Sequence, residues 1–309
     1  MKTLSPALRT AIILVFVAAL LVAYYAIHKP LTPESLTNLS ASVGALVEAG
    51  IDPALMATHL LGAALDMATV LVLLAICGGV GRFILRRVWA GVVLTETRLG
   101  DAALAVLLGA GVVSALTLGA ALAGWINAVV LWSGLLILAA LTWRHVVTWL
   151  RDMGTLWQIA VGHAENGRAG NGRHEWRPYR LFIAFFLGTS LLLALAPPYS
   201  WDSMVYHLVG PQRYLDSGRM LAYTDNFYLG FPKALEMLFA VSMSAFGRDI
   251  PPALVHWAFG IFALILTAAC VRKVADVRAA LTAVYALLPL LLLAGHWRLL
   301  RTHAGSTAL

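Results

Sequence analysis

The sequence predicts an all-α, polytopic membrane protein: a transmembrane helix bundle of seven or eight spans with a helical outer loop. Of its 309 residues, 61% are hydrophobic and only 12% are charged, and the mean hydropathy is +0.82. A water-soluble domain needs a more polar surface than this composition can provide. Apolar runs close to the length that crosses a bilayer, about 20 residues, recur along the chain.

The predicted spans follow from these runs in chain order. Residues 11–27 form the first and residues 58–81 the second. The uncharged tract 102–143 is long enough for two passes, because the four residues 124–127, Gly-Trp-Ile-Asn, can form a turn. Later apolar runs lie at 181–197, 232–247, 250–271 and 279–295, of which 232–247 is short for a full crossing.

Charge divides the chain into three parts. Residues 1–143 form an N-terminal four-helix transmembrane part, 144–180 a basic cytoplasmic linker, and 181–309 a second transmembrane part with an outer loop at 198–233. The linker holds six arginines against three acidic residues, and basic residues in short loops stay on the cytoplasmic side. In the outer loop three basic residues balance three acidic ones, so this loop is expected outside.

The short run 232–247 creates a conflict in this topology. If it crosses the membrane, Arg272, Lys273 and Arg278 lie outside, against the usual distribution of positive charge. A half-inserted segment would remove the conflict. The sequence leaves both forms open.

The net charge of +7 and the pI near 9.7 do not indicate a nucleic-acid-binding protein. The arginines lie in loops next to spans rather than on one basic face, so topology and contact with anionic membrane lipid explain them better. Cys77 and Cys270 lie in apolar helices without metal-ligand spacing, so neither a disulfide nor a metal site is expected.

Two patterns inside the spans predict packing or a polar contact. Gly111, Ala115, Gly119 and Ala123 recur every four residues, which predicts a face that another helix approaches closely. Asp66 lies in an apolar run and needs a partner or water. His59 is two turns before it, so the two could share a wet cavity or form a buried structural contact.

The main functional candidate is Asp202, in the stretch PPYSWDSMVYHLVGPQRYLDSGRM that follows an apolar run. Ser200 is expected to cap a helix that starts at Trp201, which places Asp202 in the first turn, where the helix dipole favours a carboxylate. Tyr206 lies four residues on, on the same face, with His207 beside it. An acid at the membrane boundary must be solvated, paired or bound to a cation, so it is a functional candidate.

The rest of this stretch predicts a short helical piece. A break is expected near Gly210 and Pro211, Arg213 and Asp216 are spaced to pair, and Gly218 ends the piece. A purely structural interpretation stays open, in which Asp202 favours a helix N-terminus, Tyr206 is an interfacial anchor and the ion pair lies on the surface. For His207, Lys233 and Glu236 the structural interpretation is preferred.

Over about residues 181–295 the chain resembles the GT-C class of membrane glycosyltransferases, in particular bacterial relatives of the dolichyl-phosphate-mannose protein mannosyltransferases and the lipid A aminoarabinose transferases. The resemblance rests on three stretches, WDSMVYHLVGPQRYLDSGRM, FPKALEMLF and VRKVADVRAAL. It implies that 181–309 is the start of a GT-C-like core. It also implies transfer of a sugar from a polyprenyl-phosphate donor to an acceptor on the outer face of the membrane.

The resemblance also implies site residues. Asp202 matches the essential acid of the family's first outer loop, and a carboxylate there can act as a base or stabilise the developing cation. Tyr206 and His207 are then substrate-binding candidates, and Arg213, Lys233 or a divalent cation would neutralise the lipid phosphate. Many members carry a second acid directly after the first, whereas Ser203 follows here, so metal use stays open.

The family resemblance further implies a multi-pass protein of the bacterial inner membrane. Related transferases continue with more helices after the position of Leu309, so a C-terminally truncated copy with doubtful activity is expected. The alternative is a non-catalytic transporter or a structural membrane subunit. A transporter would use a midplane acid such as Asp66, although no convincing internal repeat supports it.

Overall fold

The computed structural model describes residues 52–88, 95, 97–161, 177–198, 202–222, 225–230 and 233–275, and parts of 279–288. The predicted first span at 11–27, most of the second half of the basic linker, Ser200 and Trp201 lie outside the described residues. Residues 63–292 form one compact unit, and the interactions below lie within it.

All regular structure in the described residues is helical, as predicted. The α-helices are α1 Pro53–Val88, α2 Arg98–Leu122, α3 Ala128–Leu141, α4 Trp143–Val161, α5 Arg177–Ala194, α6 Val209–Ser217, α7 Ala234–Ser244 and α8 Pro251–Val274. A π-helix, Ser203–His207, precedes α6, and a 3-10 turn, Phe227–Gly230, precedes α7.

Three of these helices, α1, α2 and α8, are long and apolar enough to cross a membrane. Helix α3 with the start of α4 would be a fourth span, although the two meet at an angle of 85°. The apolar part of α5, Phe182–Ala194, and α7 are shorter. The described helices thus provide three or four spans, fewer than the seven or eight predicted.

The turn predicted inside the tract 102–143 is present. Helix α2 ends at Leu122, and Gly124 takes a left-handed conformation with φ of +80°, which glycine adopts without a steric penalty. Asn127 then caps α3, because its side chain accepts a hydrogen bond from the Val130 amide at 3.0 Å. One uncharged tract therefore makes two helices.

Helices α1 and α2 pack through glycines other than those predicted. A Cβ atom placed on Gly109 would lie 1.8 Å from the Cys77 carbonyl oxygen, and one on Gly81 would lie 1.7 Å from the Ala105 oxygen, so the two backbones approach directly. The predicted stripe was wrong. Its members Gly111, Ala115, Gly119 and Ala123 are exposed, because the neighbouring face of α2 makes the contact.

These contacts define two ends of the bundle. The arginine end contains the C-terminus of α1 and the N-terminus of α2, with Arg82, Arg86, Arg87 and Arg98. Helix α8 also finishes there, because Gly100 at the start of α2 packs directly against Ala269. The cations Arg272 and Lys273 in the last turn of α8 thus lie at the arginine end.

The opposite end, which we call the loop end, holds the α2–α3 turn and the segment after α6. The Ile126 amide donates to the Gly218 oxygen at 3.2 Å, and the Met220 amide donates to the Ala121 oxygen at 2.8 Å. The chain therefore returns to the loop end just before it enters α7.

Helix α7 does not run the length of the bundle. At its start, the Ser114 hydroxyl donates to the Ala234 carbonyl oxygen, and Ser114 lies eight residues, about 12 Å, inside the loop end of α2. After α7 ends, Arg248 binds Asp66 at 2.7 Å, and Asp66 lies on the loop-end side of α1. Helix α7 thus rises from mid-depth to the loop end. The half-inserted form accounts for the basic residues of α8, since they fall at the arginine end.

We predict that Gly109→Ala destabilises the protein, whereas Gly111→Ala two residues away does not. The first adds a methyl group against the α1 backbone and should cost about 1–3 kcal/mol. The second adds it where nothing lies within 4 Å. The melting temperatures of the purified variants in detergent test this difference, and equal melting temperatures would contradict the packing.

We also predict that residues 87 and 273 lie on one side of the membrane and residue 219 on the other. Single cysteines replace these residues in a chain whose native thiols, Cys77 and Cys270, are changed to alanine and serine. An impermeant maleimide added to intact cells should label only one of the two groups. Labelling of 273 together with 219, but not 87, would show that α7 crosses.

Candidate functional site

The predicted site acid, Asp202, lies at the start of an unusual helix. Residues Ser203–His207 form a π-helix, in which the Leu208 amide donates to the Ser203 oxygen at 3.1 Å. Residues five apart are about one turn apart in such a helix, so half-buried Asp202 and His207 lie on the same side. Short π-helical turns are rare and frequently occur at functional sites.

The predicted break near Gly210 is replaced by a change of helix type at Leu208. Helix α6 begins at Val209 and runs on through Gly210 and Pro211, both buried. Proline is tolerated there because its missing N–H falls in the first turn. Gly218 ends α6 in a left-handed conformation, φ +70°, as predicted.

His207 forms the central contact of the site with Glu236. Its Nδ1 lies 2.9 Å from the Glu236 Oε1. Glu236 is in the first turn of α7, where the helix dipole stabilises a negative charge. Its side chain is only 5% exposed, so the imidazole is the polar partner that compensates its burial. The contact leaves the Nε2 edge of His207 available for another hydrogen bond.

Lys233, the residue before α7, is buried beside this pair. Its Nζ donates to the Tyr228 carbonyl oxygen at 3.4 Å, and the residue is 7% exposed. The carboxylate of Glu236, in the first turn of α7, is the opposite charge near it. A buried lysine with this environment is suited to binding an anionic group.

Aromatic rings form one wall next to His207. Tyr206 stacks on Tyr228, with ring centroids 5.6 Å apart and planes at 19°, and its ring centroid lies 4.0 Å from that of His207. The Asn226 side chain donates to the Val205 oxygen at 2.7 Å, which holds the 3-10 turn against the π-helix. Tyr206 is thus placed beside His207, as its sequence position suggested.

Arg213 has a different partner from the one predicted. Its Nη1 contacts both carboxylate oxygens of Asp225, at 3.0 and 2.8 Å, and Asp216 instead accepts a hydrogen bond from Gln212 at 2.8 Å. The Arg213–Asp225 pair is largely exposed. The contact between His207 and Glu236 involves neither Arg213 nor Asp225.

Asp66, the other acid singled out in the sequence, belongs to a separate site. It is fully buried, and its Oδ1 accepts a hydrogen bond from Arg248 Nε at 2.7 Å. This hydrogen bond raises the pKa of Arg248. The sequence predicted for Asp66 either a wet cavity or a buried contact shared with His59. Neither alternative included Arg248, which is 182 residues away in sequence.

The contacts show which site residues the sequence identified. Tyr206, His207 and Lys233 do lie close together, and Asp202 is on the same helical turn as His207. Glu236 was assigned a structural role, although its position in the first turn of an apolar helix was a usable signal. Within the described residues, no group of three or more His, Cys, Asp or Glu side chains could hold a metal ion.

Comparison with known proteins adds no family assignment. The chain matches no protein-family model, and neither a curated protein nor a solved structure is detectably similar to it. The site is therefore interpreted from its own geometry.

We predict that Glu236→Ala lowers the melting temperature far more than Glu236→Gln. Both changes leave Lys233 without the opposite charge of Glu236, but glutamine keeps the side-chain volume and an acceptor for His207. Alanine leaves the imidazole without this partner, at a further cost of about 1–3 kcal/mol. A second change, Lys233→Met, should restore much of the loss because it removes the cation. Absence of this recovery in detergent-solubilised protein would show that the two residues are not coupled.

Proposed function

We propose that this protein is a membrane glycosyltransferase that moves a sugar from a polyprenyl-phosphate donor to an acceptor on the outer face of the membrane. The observation that carries the proposal is the meeting of His207, Glu236 and Lys233 one π-turn beyond Asp202. A reactive acid, an oriented imidazole and a buried cation are the groups that such a transfer needs. The resemblance to GT-C enzymes supplies the donor class.

In the proposed reaction, Asp202 takes the proton from the acceptor hydroxyl. The acceptor oxygen forms a bond to the anomeric carbon while the bond between that carbon and the phosphate oxygen breaks, and the polyprenyl phosphate leaves with the bonding electrons. The anomeric carbon becomes cationic on the way, and a nearby carboxylate stabilises it. General base catalysis of this kind contributes about 10²–10⁴-fold.

The neighbouring residues bind the donor. Glu236 fixes the orientation of His207, whose Nε2 edge can hydrogen-bond a sugar hydroxyl or a phosphate oxygen. Lys233 stabilises the charge of the departing phosphate, and Tyr206 with Tyr228 gives a sugar an aromatic surface. We keep Arg213 as a peripheral substrate-binding candidate, since it faces Asp225 rather than this cluster.

The proposed reaction uses no divalent cation. Ser203 occupies the position of the second acid, and no ligand group of three side chains is present in the described part. We therefore assign the neutralisation of the phosphate to Lys233 and derive no step through a metal.

The proposed setting is the inner membrane of a bacterium, with the arginine end in the cytoplasm and the loop end outside. In this setting the bundle crosses seven of the predicted seven or eight times, because α7 enters the membrane from outside and returns. Its partners are the lipid-linked sugar and membrane lipid.

A transporter is the second candidate, and the buried Asp66–Arg248 pair is the observation that favours it. Ionisable groups inside membrane bundles often lie on ion or substrate pathways. A sugar-transfer assay combined with a transport assay on Asp66→Asn separates the two functions. If neither the wild-type protein nor the variant transfers sugar, and Asp66→Asn abolishes transport, the transporter is favoured.

We predict that Asp202→Asn reduces sugar transfer by about 100-fold or more, while Asp216→Asn does not. Both changes remove one negative charge from the same outer segment, but Asp216 only accepts a hydrogen bond from Gln212. Membranes holding either variant are incubated with polyprenyl phosphate carrying mannose or aminoarabinose, and labelled product is counted. Wild-type membranes that transfer neither sugar, or equal activity of the two variants, would contradict the proposal.

A further inference from the structure

At the arginine end, helix α4 turns sideways and packs across α1 and α2. It begins one residue after α3 and turns by 85°. Its inner face is held tightly: Trp149 is buried and its Nε1 donates to the Ala102 oxygen at 3.0 Å. Two glycines of α1 permit this approach, because a Cβ on Gly78 or Gly79 would lie 2.4 Å from the Trp149 ring or 2.2 Å from Val146. The outer face of α4 remains open.

Two further contacts join α4 to the last turns of α1. Arg82 forms an ion pair with buried Asp152. The Phe83 and His145 rings meet edge to face, with centroids 5.6 Å apart. The C-terminal end of α1 and helix α4 therefore form one fixed corner. Asp152, the buried acid at this corner, is paired with Arg82.

This corner exposes guanidinium groups beside aromatic rings. Arg87 lies over Phe83, 5.3 Å from the ring centroid, and Arg144 lies over Trp143 at 5.7 Å. Both arginines are exposed, and among the described residues neither forms an ion pair with a carboxylate. Arg86 lies exposed beside Arg87. The cations are thus held in place by rings and not neutralised.

Apolar side chains at the α3–α4 junction and along α4 are exposed as well, and they indicate what covers this part of the protein. Leu141, Trp143 and Leu150 are 74%, 57% and 50% exposed. A soluble anion would neutralise the arginines but leave these side chains in water, whereas a phospholipid supplies both a phosphate and acyl chains. Helices with basic residues and aromatics next to an apolar surface lie at the membrane interface.

We propose that the corner of Arg86, Arg87 and Arg144 binds the phosphate headgroup of an anionic phospholipid, with α4 lying along the membrane surface. The guanidinium fork matches phosphate oxygens in two-point hydrogen bonds. Trp143 and Phe83 orient the guanidinium groups and sit at headgroup depth. This lipid site lies at the opposite end of the bundle from the His207–Glu236 site and does not depend on the proposed transfer reaction.

The test compares two double variants that each remove two cations at the arginine end. Arg87→Gln/Arg144→Gln changes the corner, and Arg272→Gln/Lys273→Gln is the control at the end of α8. The full-length protein is purified in detergent and titrated with phosphatidylglycerol, phosphatidylcholine or inorganic phosphate. Bound lipid is counted by native mass spectrometry, and the melting temperature is recorded.

We expect phosphatidylglycerol to bind and stabilise the wild-type and control proteins, and to bind the corner variant at least about tenfold more weakly. Lipid-free melting temperatures should be equal, because the four side chains are exposed. Equal weakening in both variants would show diffuse attraction and overturn the site. If inorganic phosphate stabilises the protein as much as phosphatidylglycerol does, the site binds a phosphate and not a lipid. If phosphatidylcholine binds as tightly as phosphatidylglycerol, the negative charge of the headgroup is not what the site recognises.

Discussion

An eleven-residue helix cannot cross a bilayer, and the polar chemistry of this protein follows from that constraint. Helix α7 starts about 12 Å below the loop end of α2, at Ser114. Chain that is not helical at such a depth is tolerated only where it is buried in protein or lines a cavity. The segment before α7 meets this requirement through side chains: Lys233 binds the Tyr228 carbonyl and Asn226 binds that of Val205.

Three buried carboxylates in the bundle are stabilised in the same way. In the described residues, Asp66, Glu236 and Asp152 are the buried acids, and each is paired with a basic side chain from a distant element. Asp66 joins α1 to the α7–α8 turn, Glu236 joins α7 to the π-helix, and Asp152 joins α4 to α1. Removal of one partner of such a pair costs about 3–5 kcal/mol, since it leaves a buried charge. The pairs therefore fix where each helix end lies.

The sequence predicted features that depend on local chemistry. The α2–α3 turn was predicted from Gly124 and Asn127, and the end of α6 from Gly218, because left-handed backbone and side-chain capping are local requirements. The all-helical fold followed from composition. By contrast, small residues at every fourth position from Gly111 define one face of α2, but this pattern does not predict whether another helix contacts that face. Gly109, outside the stripe, makes the contact instead.

Long-range partners were beyond the same reasoning. Arg213 was expected to bind Asp216 three residues away, but the loop folds back and brings Asp225 to it. Arg248 reaches Asp66 across 182 residues, a pairing that no periodicity reveals. The π-helix also has no sequence signal of its own, although it decides that Asp202 and His207 lie on one side. Some site residues could be predicted from the sequence, but the contact between His207 and Glu236 could be identified only from the folded structure.

Under the proposed function one site must meet both a lipid and a polar acceptor, and the half-inserted helix is consistent with this requirement. A segment that enters and leaves at the loop end has both of its ends on that side of the bundle, and α5 and α8 are further apolar helices of the same unit. His207 has 27% of its side chain exposed, whereas its partner Glu236 has 5%. A spanning α7 would place Lys233 and Arg248 at opposite ends of the bundle. The returning path instead keeps both basic residues in the half of the bundle that faces the loop end, which is the side on which the proposed function puts the donor.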